Sequence, residues 1–536
     1  MTAAPAEAAA SADAPAPVKG RGVAIGAAGL AVLLGALDTY VVVSVLEDIM
    51  RSVQIPINRI QQATPIITCY LLGYIAAMPL LGRLSDKLGR RLVLQASLAL
   101  FVIGSVITAM GDTVPVVLTG RIVQGVASGA LLPVTLALAA DLWSARRRAA
   151  VLGWVGAAQE LGSVLGPVVG VSVVALVHER FTSVAPDDAW RVVFWVQVPL
   201  ALVAMLLIQL SVPKRSAQEP QRVDVVGGLL LAVALGLSVL GLYNPEPDGT
   251  DVLPPNGAAL LAGAAVAFVA FAAWEMRART KLIDTAGMRV LPFLASCAAS
   301  VCAGAALMVT LVDVEIYARM VLEREGIDAV LTLVRFLIAL PVGAILGGLL
   351  ATRIGDRVIS VVGLLIAAGG YLLVENWPRD VLAAHYFGTL PALDTSLAIA
   401  GFGLGLVIGP LSSAALRAVS LSQAGIASAL LVVARMSGML IGVAALTVFG
   451  LHRLTEIQSE MPALSAPSGV GGFAERLRAI AGQMQDAYAI MFGEVFGITA
   501  GICVVGAVFA AFVTGGRHHS EEIPAQEDEE LVTSSS

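Results

Sequence analysis

Five charged residues of this chain sit inside long apolar stretches: Asp38, Arg121, Glu160, Arg335 and Arg435. Holding a charge at the centre of a membrane helix costs at least about 2.5 kcal/mol, so such residues are kept for a partner or a task. For a carboxyl group the task is proton handling. Desolvation disfavours its charged form, so Asp38 or Glu160 can take a proton on one side of a barrier and lose it on the other. For arginine, which does not give up its charge, the task is pairing. Spacing leaves the pairs open: Glu160 and Arg335 fall at similar depths in their stretches and Arg435 is a rival partner. A static polar contact is the plain reading for each, Asp38 included. Asp313 and Glu315 lie near the end of another stretch, where a solvated mouth fits better than a second proton or cation relay.

These residues need helices to place them, and the composition supplies them. Of 536 residues, 57% are hydrophobic and only 13% charged, against roughly 25% charged in soluble domains. Since a membrane span needs about 20 apolar residues, the runs from 23–47 to 487–513 have room for about fourteen spans joined by short loops. A soluble multidomain protein is excluded. Net charge of −6 and a pI near 5.5 exclude a basic nucleic-acid binder. All four cysteines lie in apolar runs with no histidine spacing that suggests a metal site. No nucleophile and base constellation or phosphate loop appears, which argues against an enzyme or an ATP-driven pump.

Basic residues orient the chain. Arg83, Lys87, Arg90 and Arg91, then Arg146–Arg148, then Lys214, Arg215 and Arg222 fall in alternate short loops, which the positive-inside rule puts in the cytoplasm with both termini. The expected organisation is a disordered cytoplasmic start (1–22), a six-helix half (23–212), a linker with two extra helices (213–289), a second six-helix half (290–513) and a cytoplasmic acidic tail (514–536). An internal repeat supports it: Gly82, Gly89 and Arg91 after the second span recur as Gly348, Gly355 and Arg357 after the tenth, at the same offsets. Parallel repeats of this kind mark transporters built from two halves. Two outward loops are longer than a connection needs. Segment 375–395 reads as a small hairpin or as an irregular surface loop. Segment 452–486 carries Phe473, Leu477, Ile480 and Met484 on one face and reads as an interfacial amphipathic helix.

Several segments carry a resemblance. The run from Gly82 through Asp86, Gly89, Arg90 and Arg91 resembles the signature loop of the major facilitator superfamily, and Arg121, Gln124 and Gly125 resemble its fourth-helix motif. Gly162, Gly166, Pro167 and Gly170 resemble the antiporter motif of proton-coupled exporters, with Val171 in place of a final glycine. Matches at Leu37–Thr39, Trp190–Pro199, Trp274–Glu275 and Arg435–Gly442 resemble the fourteen-helix drug:proton antiporter branch. The resemblance implies an all-α integral membrane protein of the major facilitator fold: two six-helix halves plus two additional central helices. It also implies that Asp38 lines a central cavity and that Glu160 and Arg335 face each other across the halves. Asp86 and the arginines near it would hold the halves in one state of an alternating-access cycle. In the fifth span the glycines at i, i+4, i+8 permit close helix approach and Pro167 permits a bend, which suits a moving interface or static packing alike.

The first span departs from the branch pattern: Tyr40, Val43 and Glu47 replace a threonine, an asparagine and a proline. Losing an amide makes a cavity wall greasier. With the long 375–395 loop this resembles a triacylglyceride-exporting subgroup that works with a periplasmic lipid-carrying lipoprotein. The expected function is a proton-driven exporter of a lipid or lipophilic compound at the plasma membrane, needing no cofactor beyond the proton gradient and acting as a monomer. Trp377, Tyr386 and Phe387 would then guide cargo outward. A multidrug:proton antiporter for lipophilic cations is the alternative within the class, and a non-transporting scaffold or sensor the alternative outside it. The orientation predicts that single cysteines at Ser85 and Ser216 label only from the cytoplasm and one at Thr250 only from outside; outward labelling of position 85 would overturn the orientation.

Overall fold

The computed structural model describes residues 20–55, 63–180, 188–214, 224–242, 254, 256–278, 288–324, 327–378, 381–386, 389–460 and 469–513. Most of the chain start, the acidic tail, Ser216, Thr250 and Phe387 lie outside these residues. With no water in hydrocarbon to satisfy backbone groups, an apolar segment closes its hydrogen bonds on itself as a helix. The first half comprises α1 (Arg21–Ser44), a short α2 (Leu46–Ser52), α3 (Thr64–Leu88), α4 (Arg90–Ala109), α5 (Val114–Leu142), α6 (Ala145–Arg180) and α7 (Arg191–Ser211). Two helices follow, α8 (Val225–Leu242) and α9 (Gly257–Arg277). The second half comprises α10 (Val290–Met320), a short α11 (Ile327–Leu331), α12 (Val334–Ile354), α13 (Asp356–Glu375), α14 (Ala392–Arg417), α15 (Ala424–Glu460) and α16 (Gly469–Ala510). Among the described residues thirteen helices are long and apolar enough to cross a membrane, and the apolar segment of α8, Val226–Leu242, is shorter.

Packing repeats helix for helix. In the first half α1 packs on α6, α3 on α5, and α4 on α5 and α7; in the second, α10 packs on α15, α12 on α14, and α13 on α14 and α16. The sequence repeat at Gly82 and Gly348 falls at equivalent places in this scheme. Gly89 (φ 89°, ψ 147°) and Gly355 (φ 105°, ψ 152°) make the same one-residue turn, in a left-handed region that disfavours any residue with a Cβ. The signature segment expected as a loop is therefore mostly helix. Residues from Gly82 to Leu88 form the last turns of α3, so Ser85 is fully buried, donating to the Gly82 carbonyl and accepting from Arg90. A cysteine at position 85 would be shielded from an aqueous label for that reason, which leaves Ser216 as the probe of that side.

The halves meet along two seams, α3 against α15 and α6 against α12. Their closest approaches lie toward the end carrying the Gly89 and Gly355 turns, here called the basic end. A methyl group placed on Gly82 would lie 2.6 Å from the Gly425 carbonyl oxygen and 2.9 Å from Ala429 Cβ; one on Gly348 would lie 2.5 Å from the Ala149 carbonyl. Helix α8 packs on both α3 and α15. It is tied to α9 through Asp224, whose carboxylate accepts from the Gly227 amide at its own N-terminus and from the Trp274 indole at 2.9 Å.

At the opposite end the last helices depart from expectation. Among the described residues, the stretch expected as a separate interfacial helix is continuous with the final span. At 1.5 Å per residue, the 37 residues of α15 and the 42 of α16 run about 55 and 63 Å, far past a hydrocarbon core about 30 Å thick. The apolar spacing at 473–484 was compatible with either arrangement because both are helical. Arg453 of α15 grips Glu494 of α16 with three hydrogen bonds of 2.8–3.0 Å, which holds the pair together. Segment 375–395 does form a hairpin: β1 (His385–Tyr386) pairs antiparallel with β2 (Leu390–Pro391), Tyr386 opposite Leu390.

The Gly82 contact predicts that Gly82→Val wedges α3 from α15. Spin labels at Lys87 and Ser420, both exposed, should then report a longer distance than in the unaltered protein. An unchanged distance would mean that the seam absorbs a side chain without parting.

Candidate functional site

At the basic end the signature residues form a latch between the halves. Asp86 accepts from Arg90 at 2.6 Å and from the backbone N–H groups of Gly425 (2.9 Å) and Ile426 (3.2 Å). It thereby caps the N-terminus of α15 in the other half, where a carboxylate offsets the exposed amide dipoles. Arg83 donates to the Ser422 carbonyl at 3.4 Å. Arg90 also binds Asp141 at 3.1 Å, whereas Arg91 turns to Gln209 and the Val212 carbonyl within its own half. The second half repeats the Arg90–Asp141 pair with its charges exchanged: Asp356 and Arg417 lie 3.0 Å apart.

Asp38 and Arg121, expected as separate charges, form one ion pair. Arg121 Nη1 lies 2.7 Å from Asp38 Oδ2, and both side chains are fully buried. Gln124, one turn on from Arg121, donates to Asp38 Oδ1 (3.2 Å) and accepts from Arg121 (3.1 Å) and Thr108 (3.1 Å). The Tyr70 ring lies under the guanidinium, 4.2 Å from its carbon, adding a cation–π contact. Asp38 is thus enclosed within the first half. Sequence reasoning quoted Gln124 only as part of a motif, although an amide one turn from a buried arginine is the group able to complete such a pair.

Glu160 finds its partner across the halves in Arg435, on α15, and not in Arg335. The Glu160 side chain is 4% exposed and that of Arg435 17%. Among the described residues theirs is the only ion pair that joins one half to the other. Arg335 is corrected by a break in its helix. The apolar run that carries it is α11 followed by α12, so Arg335 falls in the first turn of α12. Its side chain is 57% exposed and sits 3.5 Å from Asp394. The antiporter-motif residues Gly162, Gly166 and Gly170 pack against Leu33–Ser44 of α1 within the first half. The cross-half approach on α6 is made about two turns earlier, by Gly153 and Gly156 against Gly348 and Ile408.

Next to the Glu160–Arg435 pair lies a cavity between the halves. Of its sixteen lining residues only Gln159, Ser300, Ser412 and Arg435 are polar, and none is aromatic. Leu132 and Leu136 come from α5, Leu307 from α10, and Leu404 and Leu411 from α14. Trp377 and Tyr386 face inward: the Trp377 indole donates to Ser396 at 2.8 Å beside the Tyr317 and Phe496 rings, and the Tyr386 hydroxyl donates to the Leu373 carbonyl. The hairpin presents Leu382 and Leu390, each about half exposed. Asp313 is buried and Glu315 pairs with Arg319 at 2.6 Å. The side chain of Val43 lies outside the described residues, and Glu47 is on the exposed face of α2, paired with Arg51.

Residues 28–443 match the profile of the Major Facilitator Superfamily, and the chain belongs to that family. It is a multi-pass membrane transporter and not an enzyme. It is 59% identical to a triacylglyceride transporter of Mycolicibacterium hassiacum over 94% of each chain. Its identity to a triacylglyceride transporter of Mycobacterium tuberculosis is 57%, over 96% of this chain and 98% of that one. Among solved structures, a proton:xylose symporter superposes with a TM-score of 0.58 at 17% identity, over 93% of this chain and 97% of its own. The human organic anion transporter MFSD10 gives 0.56 at 16%, over 91% and 99%. At those identities the two structures speak to the fold alone.

The enclosed Asp38–Arg121 pair predicts a definite order of stabilities. Removing one partner of a buried pair costs about 3–5 kcal/mol because a bare charge remains. Asp38→Asn should therefore lower the unfolding temperature in detergent sharply, and adding Arg121→Gln should recover part of the loss. A double variant less stable than either single would rule out the pair as the reason.

Proposed function

We propose that this transporter is a proton-driven exporter of a triacylglyceride-like neutral lipid, working outward across the plasma membrane by alternating access. The observation that carries the reading is the Glu160–Arg435 pair: a titratable carboxylate whose only ionic partner among the described residues is in the opposite half. A charge pair in a low dielectric holds only while both charges exist. Protonating Glu160 ends the attraction and frees the halves to re-pack, so the proton and the conformational change share one contact. One charge moved through 100 mV is worth about 2.3 kcal/mol, enough to drive roughly a fifty-fold gradient.

On this reading the basic end is cytoplasmic, as the positive-inside rule expects, and the latched arrangement is the outward-facing state. Asp38 takes a supporting role, since its carboxylate is already committed to Arg121 and Gln124. The lipid assignment draws on the printed names of the relatives and on the aliphatic cavity. A pocket for lipophilic cations would be expected to offer aromatic faces or an unpaired carboxylate, and this lining has neither. Exposing each methylene to water costs about 0.8 kcal/mol, so such a cargo needs a receiving protein outside, for which a lipid-carrying lipoprotein is the proposed partner.

Glu160→Gln should abolish pH-gradient-driven export of triacylglyceride in proteoliposomes, while facilitated movement down a lipid gradient persists. Arg435→Gln alone should impair both, because it strands a buried carboxylate, and the double variant should recover the downhill movement. Gradient-driven export that survives in Glu160→Gln would remove this pair from the coupling.

A further inference from the structure

We propose that Arg435, Ser300 and Gln159 form an ester-recognition subsite at the polar patch of the cavity wall, selecting lipids by their carbonyl groups as well as by their apolar bulk. This rests on the lipid reading above and narrows it. The cavity is otherwise aliphatic, and a purely aliphatic wall would hold any hydrocarbon of suitable width. The four polar residues are therefore the place to look for discrimination.

Three of them have unused hydrogen-bonding capacity. Arg435 offers five N–H donors, and its single hydrogen bond among the described residues goes to Glu160. Ser300 is 5% exposed and its hydroxyl has no partner among the described residues. Gln159 is 7% exposed; its amide makes no hydrogen bond there, and its Oε1 is buried without a partner. Ser412 differs, because its hydroxyl already donates to the Ile408 carbonyl at 2.8 Å. Unpaired polar groups in an apolar enclosure are costly, so a ligand that pairs them gains more than its contact area suggests. A triester of glycerol carries three carbonyl acceptors and no donor. It matches a patch whose spare capacity lies mainly in donors: the remaining guanidinium N–H groups, the Ser300 hydroxyl and the Gln159 amide NH₂.

The patch draws on both halves, Gln159 from α6 and the other two from α10 and α15. A bound ester would therefore span the moving interface at the residue that also holds Glu160. Cargo and proton would meet at the Glu160–Arg435 pair.

The test uses the whole protein in nanodiscs, with a fluorescently labelled triacylglyceride as the bound probe and two competitors, triolein and the trioleyl glyceryl ether that lacks carbonyl oxygens. Sites built to hydrogen-bond a ligand group discriminate strongly against the analogue without it. Triolein should displace the probe at least about tenfold more effectively than the triether. In Gln159→Leu/Ser300→Ala that preference should fall toward one through weaker triolein binding alone, with the triether unaffected. Equal displacement by the two competitors in the unaltered protein would overturn the subsite whether or not the variant folds, as would an equal loss for both in a folded variant. A probe that does not bind the unaltered protein at all would overturn the lipid reading itself, and the subsite with it.

Discussion

A charge placed in hydrocarbon must be answered by another, and much of this architecture follows from where the answers come from. Asp38 is answered by Arg121 from within the same half, with Gln124 satisfying both. That arrangement welds α1 to α5 and asks nothing of the second half. Glu160 is answered by Arg435 from across the interface, so the same electrostatic requirement becomes a condition on how the halves sit. Two buried pairs of similar chemistry thus have opposite mechanical consequences, decided only by which side of the interface supplies the cation.

Duplication sets the frame in which this works. The turns at Gly89 and Gly355, the close approaches at Gly82 and Gly348, and the pairs Arg90–Asp141 and Asp356–Arg417 are equivalent features of two halves. The copies differ where the seams close. Asp86 caps α15, but the residue at the matching offset from Gly348 is Thr352, a half-buried side chain that bonds only to the Leu349 carbonyl of its own helix. One seam therefore carries a charged cap and has α8 packed along it, and the other is closed by glycine contacts and apolar packing, with Ala149 beside Ala351 and Leu406. Both close in the same state, through different physics: the first depends on ionisation and screening, the second on shape.

The sequence made the fold class, the repeat and the two-half plan readable, because hydropathy and glycine spacing are local signals with strong physical causes. Asp38, Arg121 and Glu160 are buried and Arg435 is partly buried, whereas Arg335 is exposed. Hydropathy cannot see a two-residue break inside an apolar run, so Arg335 was assigned a depth that the interruption between α11 and α12 removes. The Asp38–Arg121 pair was missed for another reason: residues 83 positions apart share no local pattern. The glycines of the fifth span were legible as a packing face, but a one-dimensional repeat does not say which helix it faces, and here it is α1.

The cavity shows why so few polar residues can matter. Ridding the wall of aromatic rings and carboxylates removes the attractions that hold lipophilic cations, leaving shape and apolar burial, which rank hydrocarbons weakly: one methylene more or less is worth only about 1–3 kcal/mol in a hydrophobic pocket. A transporter working within a bilayer is surrounded by acyl chains that satisfy the same wall, so burial alone cannot favour cargo over the membrane's own lipids. Selection must then fall to the minority of groups that the surrounding chains leave unpaired. Those groups adjoin Arg435, which pairs with Glu160 across the halves, so on the proposed reading choosing a cargo and changing state would draw on the same side chain.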